Sequence, residues 1–366
     1  MNKLFLSLSL FILILTSACK NTDKAKIAEV EFDKSEHLLI KKPLELKIPE
    51  GMVWVPGVRF MQGAKEGDKL ASPAERPAHP VAVDGFFIDV TEVTNSQFAE
   101  FIKETGYVTV AERPIKWEEL KKELPSGTPK PADSVLQPGS LIFNRKVENV
   151  KNLNDYVQWW DWKPGANWKH PEGPESSIIN KGNYPVVHIC YEDANSYCEW
   201  AHRRLPTEAE WEAAANGKLK DNIYTWGNDE SKLIYAANTW QGIFPEKNVP
   251  EDGFKYAAPV KSFDPNSLGI YDMAGNVWEL TQDWFNISYY KNSLVEGEIL
   301  NPKGAKKSYN HTNYFEKEKV IKGGSFLCNS SFCASYRISA RMGQSLDSGS
   351  DHAGFRTVIS GEIMDK

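Results

Sequence analysis

Short apolar runs with Gly or Pro nearby recur along most of the chain, and such runs are typical of short strands. Examples are Val53-Trp54-Val55, Val81-Ala82-Val83 and Phe86-Phe87-Ile88. We find neither an internal repeat nor a linker-like composition after residue 46. We therefore predict one large domain from about residue 46 to residue 362.

Helix signals are few but well marked, and they run from Thr94 to Gly106, from Glu192 to Ala201 and from Thr207 to Gly217. In the first and third segments the opening threonine is followed three residues later by Gln97 or Glu210, which completes a capping box. The glycine at the end of each is a common helix terminator. Few helices among many short strands predict an α+β architecture with little regular secondary structure.

The N-terminus carries the longest apolar run, from Leu4 to Leu15, behind Lys3 and ahead of Thr16-Ser17-Ala18-Cys19. This pattern predicts a signal peptide over residues 1–18. Its end resembles a lipoprotein cleavage box, which would make Cys19 the lipidated mature N-terminus; a plain secretory signal is the alternative. Residues 19–45 are rich in Lys and Glu and are interpreted as a tether. No other run approaches the roughly 20 apolar residues that span a bilayer, so we expect a lipid-anchored protein.

Composition supports a folded globular protein and argues against one class of partner. The chain has 366 residues, of which 41% are hydrophobic and 25% are charged. Its net charge of −6 gives no basic field for a nucleic-acid backbone. The stretch from Tyr107 to Tyr184 is long and weakly periodic, but its Trp-rich part, residues 159–174, is too aromatic for a disordered segment.

Five cysteines leave four once Cys19 is assigned to the anchor. Cys198 lies on the apolar stripe of the second helix and is expected to be a buried thiol, with a disulfide as the alternative. Cys328 and Cys333 could form a small disulfide, half of a zinc site, or a site for a soft, linearly coordinated metal such as Cu(I). The nearby His311 and His352 lack the paired spacing of zinc ligands. Spacing alone therefore favours a disulfide.

The surrounding sequence resembles the formylglycine-generating enzymes, also called sulfatase-modifying factors, over almost the whole mature chain. Two of the matching stretches, 204–212 and 275–279, also occur in non-catalytic members and sulfoxide synthases, so they indicate the fold alone. Trp240-Gln241-Gly242, Glu251-Asp252-Gly253-Phe254 and the paired cysteines indicate the catalytic branch. The matching stretches are 51–57, 86–95, 165–168, 172–174, 204–212, 238–242, 251–254, 275–279, 322–333 and 354–356.

The resemblance implies a C-type-lectin-like α+β fold and a copper-dependent oxidase. Such an enzyme uses O2 to convert a cysteine in a Cys-x-Pro-x-Arg-type motif of an unfolded sulfatase to Cα-formylglycine. Cys328 and Cys333 match the thiolates that bind Cu(I), and soft thiolates suit that ion. Ser325 matches the active-site serine, and Trp278 and Asn276 match residues lining the oxygen and substrate pocket. In an oxidising compartment the metal-free pair would tend to form a disulfide.

The resemblance also implies two structural calcium sites built from oxygen ligands, which suit a hard cation. The first would use the side chains of Asn238 and Asp252 with the carbonyls of Thr239 and Phe254. The second would use the side chains of Asp272 and Glu279 with the carbonyls of Gly275 and Val277. Both would hold the loops around Trp278.

Departures from the family pattern concern one active-site neighbour and two disulfides. Asn329 follows Cys328 where some members carry His, and an amide cannot titrate near neutral pH. Thr357 stands where many members have the partner of Cys198. Neither cysteine of a second family disulfide is present: Ala214 or Ala215 stands at one of its positions and Ser339 at the other. Cys198 is then expected to be free or to pair with Cys190.

The sequence also bears on two other functions of proteins with this fold. A non-catalytic scaffolding or binding lipoprotein of the same fold, resembling gliding-motility lipoproteins, is disfavoured because the paired cysteines, Ser325 and Trp278 are retained. A sulfoxide synthase would need a histidine-rich iron site on a further N-terminal helical domain, whereas this chain has seven His and a short tether. The expected protein is a lipid-anchored oxidase on the periplasmic or cell-surface side of a bacterial membrane.

Overall fold

The computed structural model describes residues 38–122, 124–219 and 221–361. The predicted signal peptide, Cys19 and most of the predicted tether lie outside these residues. Within them, no helix combines the length and the apolar character needed to cross a membrane. The helices are α1 Asn95–Thr105, α2 Trp117–Leu120, α3 Tyr191–Trp200, α4 Glu208–Asn216, α5 Leu233–Ala236 and α6 Tyr289–Glu296. The strands are β1 Met52–Val55, β2 Val58–Gln62, β3 His79–Val83, β4 Phe86–Asp89, β5 Gly139–Phe143, β6 Trp160–Pro164, β7 Gly242–Ile243, β8 Lys247–Asn248, β9 Trp278–Trp284, β10 Ile299–Leu300, β11 Glu318–Lys322, β12 Met342–Ser345, β13 Ala353–Gly354 and β14 Val358–Ser360.

Helix α1 confirms the predicted capping box. Thr94 Oγ1 accepts a hydrogen bond from the Gln97 amide at 3.4 Å, and the Gln97 side chain accepts one from the Thr94 amide at 2.8 Å. Gly106 ends the helix in the left-handed region at φ 68°. Helix α4 begins in the same way. Helix α3 begins one residue before the prediction, because the Cys190 amide donates to Asp193 at 3.1 Å and so caps it.

One four-stranded sheet, in the order β12-β11-β9-β13, positions the cysteine segment. Strand β11 ends at Lys322, directly before that segment, and Lys322 pairs with Glu279 on β9. Strand β13 runs parallel to the start of β9 and pairs Ala353 with Trp278. The sheet therefore brings the start of the cysteine segment next to Trp278 and residues 352–356. The smaller sheets are β1-β4-β14, β10-β3-β2, β5-β6 and β7-β8.

A buried ionic network joins α4 to this sheet. Glu208 receives two hydrogen bonds from the guanidinium of Arg341, at 2.7 and 2.8 Å, and lies 3.6 Å from the ammonium of Lys322. Lys322 also donates to Glu212 at 2.8 Å, and the Tyr290 hydroxyl contacts both glutamates. All five side chains are buried. The chain thus fixes the strand before the cysteine segment through charge pairs that water cannot screen.

Cys190 and Cys198 are both free and buried, which confirms the expectation of buried thiols. At the two positions where family disulfides are absent, polar contacts are found instead. Thr357 Oγ1 donates to Asp89 at 2.6 Å, and Ser339 Oγ donates to Glu75 at 2.8 Å. Asp89 and Glu75 also pair with arginines, so these contacts tie distant strands and loops together without a covalent link.

Candidate active site

Cys328 and Cys333 lie on the loop that follows β11 and form a disulfide, with Cα atoms 5.5 Å apart. Cys328 is buried and Cys333 is half-buried. The loop enters through Gly324, where φ is 73° and an added Cβ would lie 2.8 Å from the backbone of Ser335. Only glycine allows this close approach, which brings the two ends of the loop together.

Ser325 is fully buried beside the pair. Its amide lies 3.4 Å from the Cys328 sulfur and donates a hydrogen bond to it. Its hydroxyl oxygen accepts a hydrogen bond from the Leu327 amide at 3.2 Å. A donor aimed at sulfur stabilises a thiolate more than a thiol, because it favours the charged form. When the pair is reduced, the Ser325 amide would therefore favour a thiolate at Cys328.

Trp278 and Asn276 take different places. Trp278 is buried in the same apolar cluster as Cys328. The Asn276 side chain instead joins three loops: its amide nitrogen donates to Glu92 at 2.8 Å, and its oxygen accepts from Asn238 and from the Ala258 amide. Asn276 is thus a positioning residue whose hydrogen-bonding atoms face neighbouring loops.

Asn329 holds the turn between the two cysteines. Its amide nitrogen donates to the Trp240 carbonyl at 3.0 Å, and its oxygen accepts from the Ser331 amide at 2.8 Å. An imidazole at this position would lose part of this pattern, since a neutral ring has one donor and one acceptor. The amide therefore serves the shape of the loop.

Aromatic rings surround the cysteine loop, and the sequence did not identify them as site residues. Phe332, between the two cysteines, lies 4.8 Å from the Phe244 ring and 5.6 Å from the Trp159 ring, centroid to centroid. The Trp240 amide donates to the Cys328 carbonyl at 3.0 Å. Trp159 is fully buried, so the Trp-rich segment is ordered, as predicted. The high aromatic content of this segment was the one signal in the sequence that could have pointed to these rings.

His352, considered in the sequence only as a possible zinc ligand, lies next to Trp278. Its carbonyl accepts a hydrogen bond from the Trp278 amide at 2.8 Å, and its ring centroid lies 4.8 Å from that of Trp160. Burial, with a smaller effect of His188, lowers the pKa of His352 to about 3. The imidazole is therefore neutral near pH 7.

The residues of the first expected calcium site lie together and include unpartnered oxygens. Asn238 is buried, and its side-chain oxygen has no hydrogen-bond partner among the described residues; the same holds for the Gln241 side-chain oxygen. Asp252 accepts from the Thr239 and Phe254 amides, both at 2.9 Å. Two buried acceptors beside a carboxylate fit a hard cation. Gln241 was missed because the sequence pattern assigned it no role.

The second expected site contains a carboxylate that sequence reasoning missed. Glu279 is engaged by Arg356 through two hydrogen bonds of 2.6 Å, and Asp272 accepts from the Lys261 amide at 2.8 Å. Glu92 is buried against Asp272, and one of its oxygens has no partner among the described residues. Burial first, and then the charge of Asp272, raise the pKa of Glu92.

Burial also raises the pKa of Asp272 to about 6. The buried Glu92 and Glu279 and the half-buried Asp272 thus share the guanidinium of Arg356, and a bound cation would relieve their repulsion. Across the described residues, no group of three or more His, Cys, Asp or Glu side chains is arranged to hold a metal ion by itself. A calcium ion at either expected site would therefore need backbone carbonyls as further ligands. A copper ion at the cysteine pair would have two sulfur ligands.

A sequence profile described as "Sulfatase-modifying factor enzyme 1-like domain" matches residues 40–361. The chain belongs to the sulfatase-modifying factor family. The mouse formylglycine-generating enzyme is 40% identical over 306 residues, which is 83% of this chain and 74% of that protein. The mouse protein named "Inactive C-alpha-formylglycine-generating enzyme 2" is 36% identical over 84% of this chain and 85% of its own length.

Solved structures support the fold of this family member. PvdO from Pseudomonas aeruginosa superposes with a TM-score of 0.53 at 22% identity, and the match covers 84% of this chain and 94% of that one. This likeness confirms the α+β fold. Because both active and inactive relatives carry the fold, the activity of this sulfatase-modifying factor has to be argued from its own residues.

Proposed function

We propose that this protein is a copper-dependent formylglycine-generating oxidase that acts on a cysteine of an unfolded sulfatase. The observation that carries the proposal is the cysteine pair: two sulfurs in contact, one of them receiving an amide hydrogen bond, inside a wall of aromatic rings. When bound to the reduced pair, Cu(I) would supply a soft, two-coordinate centre that accepts a third sulfur and reacts with O2.

The residues of the chain would prepare and protect this centre. The Ser325 amide favours the Cys328 thiolate, and the Asn329 amide keeps the turn to Cys333 closed. Trp278 and the aromatic rings would shield the buried Cys328 from water, which would strengthen electrostatic interactions around its sulfur. Asn276 acts at a distance by holding the loops of Asn238 and Glu92 in place.

The reaction balances with one further reagent. The target cysteine loses its sulfur as hydrogen sulfide and gains a carbonyl oxygen. O2 is the oxidant, and one water is released in the net reaction. The two further electrons and two protons come from two external thiol groups, which become a disulfide. The test is aldehyde formation on a Cys-x-Pro-x-Arg peptide in the presence of such a thiol. We expect conversion with copper and none once a Cu(I) chelator is added. A scaffolding lipoprotein of the same fold would bind the peptide and leave it unchanged.

Calcium is proposed to hold the loops behind the site, with the expected ligands Asp272, Glu279, Gly275 and Val277; the charge of the neighbouring Glu92 would strengthen the attraction for the ion. A chelator should lower the unfolding temperature by about 5 °C or more, because bound calcium stabilises only the folded state. Thermal unfolding monitored by fluorescence measures this shift. An Asp252→Asn or Glu92→Gln variant should show a smaller shift than the wild type. An unfolding temperature that does not respond to chelator would contradict both sites.

We also propose export and attachment to a membrane through a lipid on Cys19. The mature protein should then begin at Cys19 and carry acyl chains, which intact-mass measurement of membrane-extracted protein detects. A Cys19→Ser variant should be released from the membrane fraction. A mature N-terminus at another residue, without lipid, would contradict lipid attachment at Cys19. The plain secretory signal would then be the remaining interpretation.

A further inference from the structure

Residues 39–48 form a covering segment over the sheet β1-β4-β14. Leu39 fixes its start: the Leu39 amide donates to Asp84 at 2.7 Å, and the Leu39 carbonyl accepts from the Gly85 amide at 2.7 Å. A side chain at Gly85 would not fit, because its Cβ would lie 2.7 Å from the Leu39 carbonyl oxygen. The start of the covering segment therefore has a defined place on the domain.

The covering segment packs on one face of this sheet. Leu46 is buried in a cluster with Phe87, and Trp54 and Ile359 pack against that cluster. The indole nitrogen of Trp54 also donates to the Ile40 carbonyl at 3.3 Å. The sheet residues share a face because Phe87 is paired in register with both Trp54 and Ile359. The covering segment thus lies over this face, the outer face of the sheet.

The cysteine segment lies on the opposite side of the same sheet. Because side chains alternate along a strand, Phe86 and Ile88 point away from the outer face, and both are buried in another cluster that includes Trp211. The Trp211 ring approaches the chain at Gly323, where an added Cβ would lie 3.1 Å from it. Gly323 directly follows β11 and begins the cysteine segment. The sheet therefore separates the covering segment from the cysteine segment.

The covering segment exposes aliphatic and cationic side chains to solvent. The exposed fraction is 53% for Ile40, 97% for Leu44 and 55% for Ile48. The segment carries three lysines and one glutamate, and Lys41 and Lys47 are exposed. Exposed aliphatic groups beside lysines are typical of a surface that lies on phospholipid. The apolar side chains enter the acyl boundary there, and the ammonium groups meet the phosphates.

The position of the covering segment along the chain also favours a bilayer as the surface it meets. Leu39 follows Cys19, the proposed site of lipid attachment, by 20 residues. A lipid on Cys19 would therefore keep Leu39 within about 70 Å of the bilayer, even with the intervening chain fully extended. Such tethering raises the effective concentration of the bilayer at this surface, so weak apolar contacts with it become occupied.

We propose that the covering segment lies on the membrane that carries the anchor, an inference that depends on the proposed lipid at Cys19. Leu44 enters the boundary between headgroups and acyl chains, and the half-buried Trp54 lies close behind it, at the depth that indole rings favour. The cysteine segment, beyond the sheet, then faces the aqueous compartment. The membrane thereby orients the site toward clients that arrive from solution.

Fluorescence quenching by lipid tests this orientation in the lipidated, full-length protein. A Leu44→Cys variant is labelled with a fluorophore in the absence of reductant, since the described native cysteines are buried or bridged. It is then reconstituted in vesicles of phosphatidylethanolamine and phosphatidylglycerol that carry a nitroxide at a shallow acyl position. Emission should fall at least about twofold relative to vesicles without nitroxide, because an inserted side chain lies at the depth of the quencher.

The matched control is Val157→Cys, labelled in the same way. Val157 is also an exposed aliphatic residue, and it follows Tyr156, whose ring lies 6.5 Å from that of Phe332 between the two cysteines. Its emission should change by less than about 10%, because interfacial contacts reach only a few ångströms into the bilayer. Adding Ile40→Glu and Ile48→Glu to the protein labelled at residue 44 should abolish the quenching there.

Three outcomes would overturn the proposal. The first is equal quenching at residues 44 and 157, and the second is quenching at residue 44 that persists in the glutamate variant. The third is vesicle-bound protein without quenching at residue 44, which is also the result expected if another protein covers this face. Protein that does not sediment with the vesicles would overturn the anchor and the membrane contact together. Aldehyde formation is not measured, so failure of the oxidase proposal would leave this result unaffected.

Discussion

Replacing Cys328 or Cys333 with alanine should lower peptide turnover by at least about 10³-fold, because one remaining thiolate cannot hold Cu(I) in a two-sulfur site. The two sulfurs are in contact, so each contributes to the same site. Turnover of a Cys-x-Pro-x-Arg peptide under reducing conditions, with copper supplied, measures the effect. Copper binding to the reduced protein should be lost in parallel.

The matched control for this prediction is Cys198→Ala. Cys198 is also a buried thiol, but it packs on α3 and is free. Burial raises its pKa far above the ordinary thiol range, so it stays protonated and unreactive. Its loss should leave turnover within about threefold of the wild type, since it only removes a small apolar group. Full turnover by Cys328→Ala or Cys333→Ala would refute the role of the pair.

Replacing Glu208 with alanine should destabilise the protein by about 3–5 kcal/mol, because it leaves Arg341 and Lys322 buried without one of their carboxylates. Burial opposes ionisation of Glu208, but Arg341 and Lys322 together lower its pKa. A carboxylate with a lowered pKa contributes its stability above its unfolded-state pKa and loses it as the pH falls through the folded-state value. The full effect is therefore expected at pH 7.

Urea denaturation at pH 7 measures this loss, with Glu192→Ala as the control. Glu192 pairs with Arg113 on the surface, where solvent screens the pair, and its removal should cost less than about 1 kcal/mol. The two variants thus remove the same chemical group from a buried and an exposed ion pair. A Glu208→Ala variant that loses no more stability than Glu192→Ala would contradict the account of the network.

Local signals in the sequence predicted the local structure well. The capping residues Thr94 and Thr207 placed two helices, because a cap depends on atoms only three residues apart. The short strands around Val53, Val81 and Phe86 were recognised for the same reason. Sheet order could not be predicted in this way. The parallel pairing of β13 with β9 joins residues 353 and 278, and no local pattern encodes it.

For the candidate site, the sequence predicted the residues that lie within the matching motifs. The resemblance brought forward Cys328, Ser325 and Trp278, and the structure buries all three, with Trp278 and Cys328 in one apolar cluster. It did not bring forward Glu92, because Glu92 acts through Asp272, a partner that is distant in sequence. Unpartnered buried atoms become visible only once the chain is folded.

Mass spectrometry of a Cys-x-Pro-x-Arg peptide after incubation with the reduced, copper-loaded protein, an external thiol and O2 tests the central claim most directly. The account predicts that the target cysteine loses hydrogen sulfide and gains one oxygen atom, and that the product reacts with an aldehyde-specific hydrazine reagent. The change should vanish when a Cu(I) chelator is present or O2 is removed. A peptide that binds the copper-loaded protein but keeps its thiol under these conditions would contradict the account.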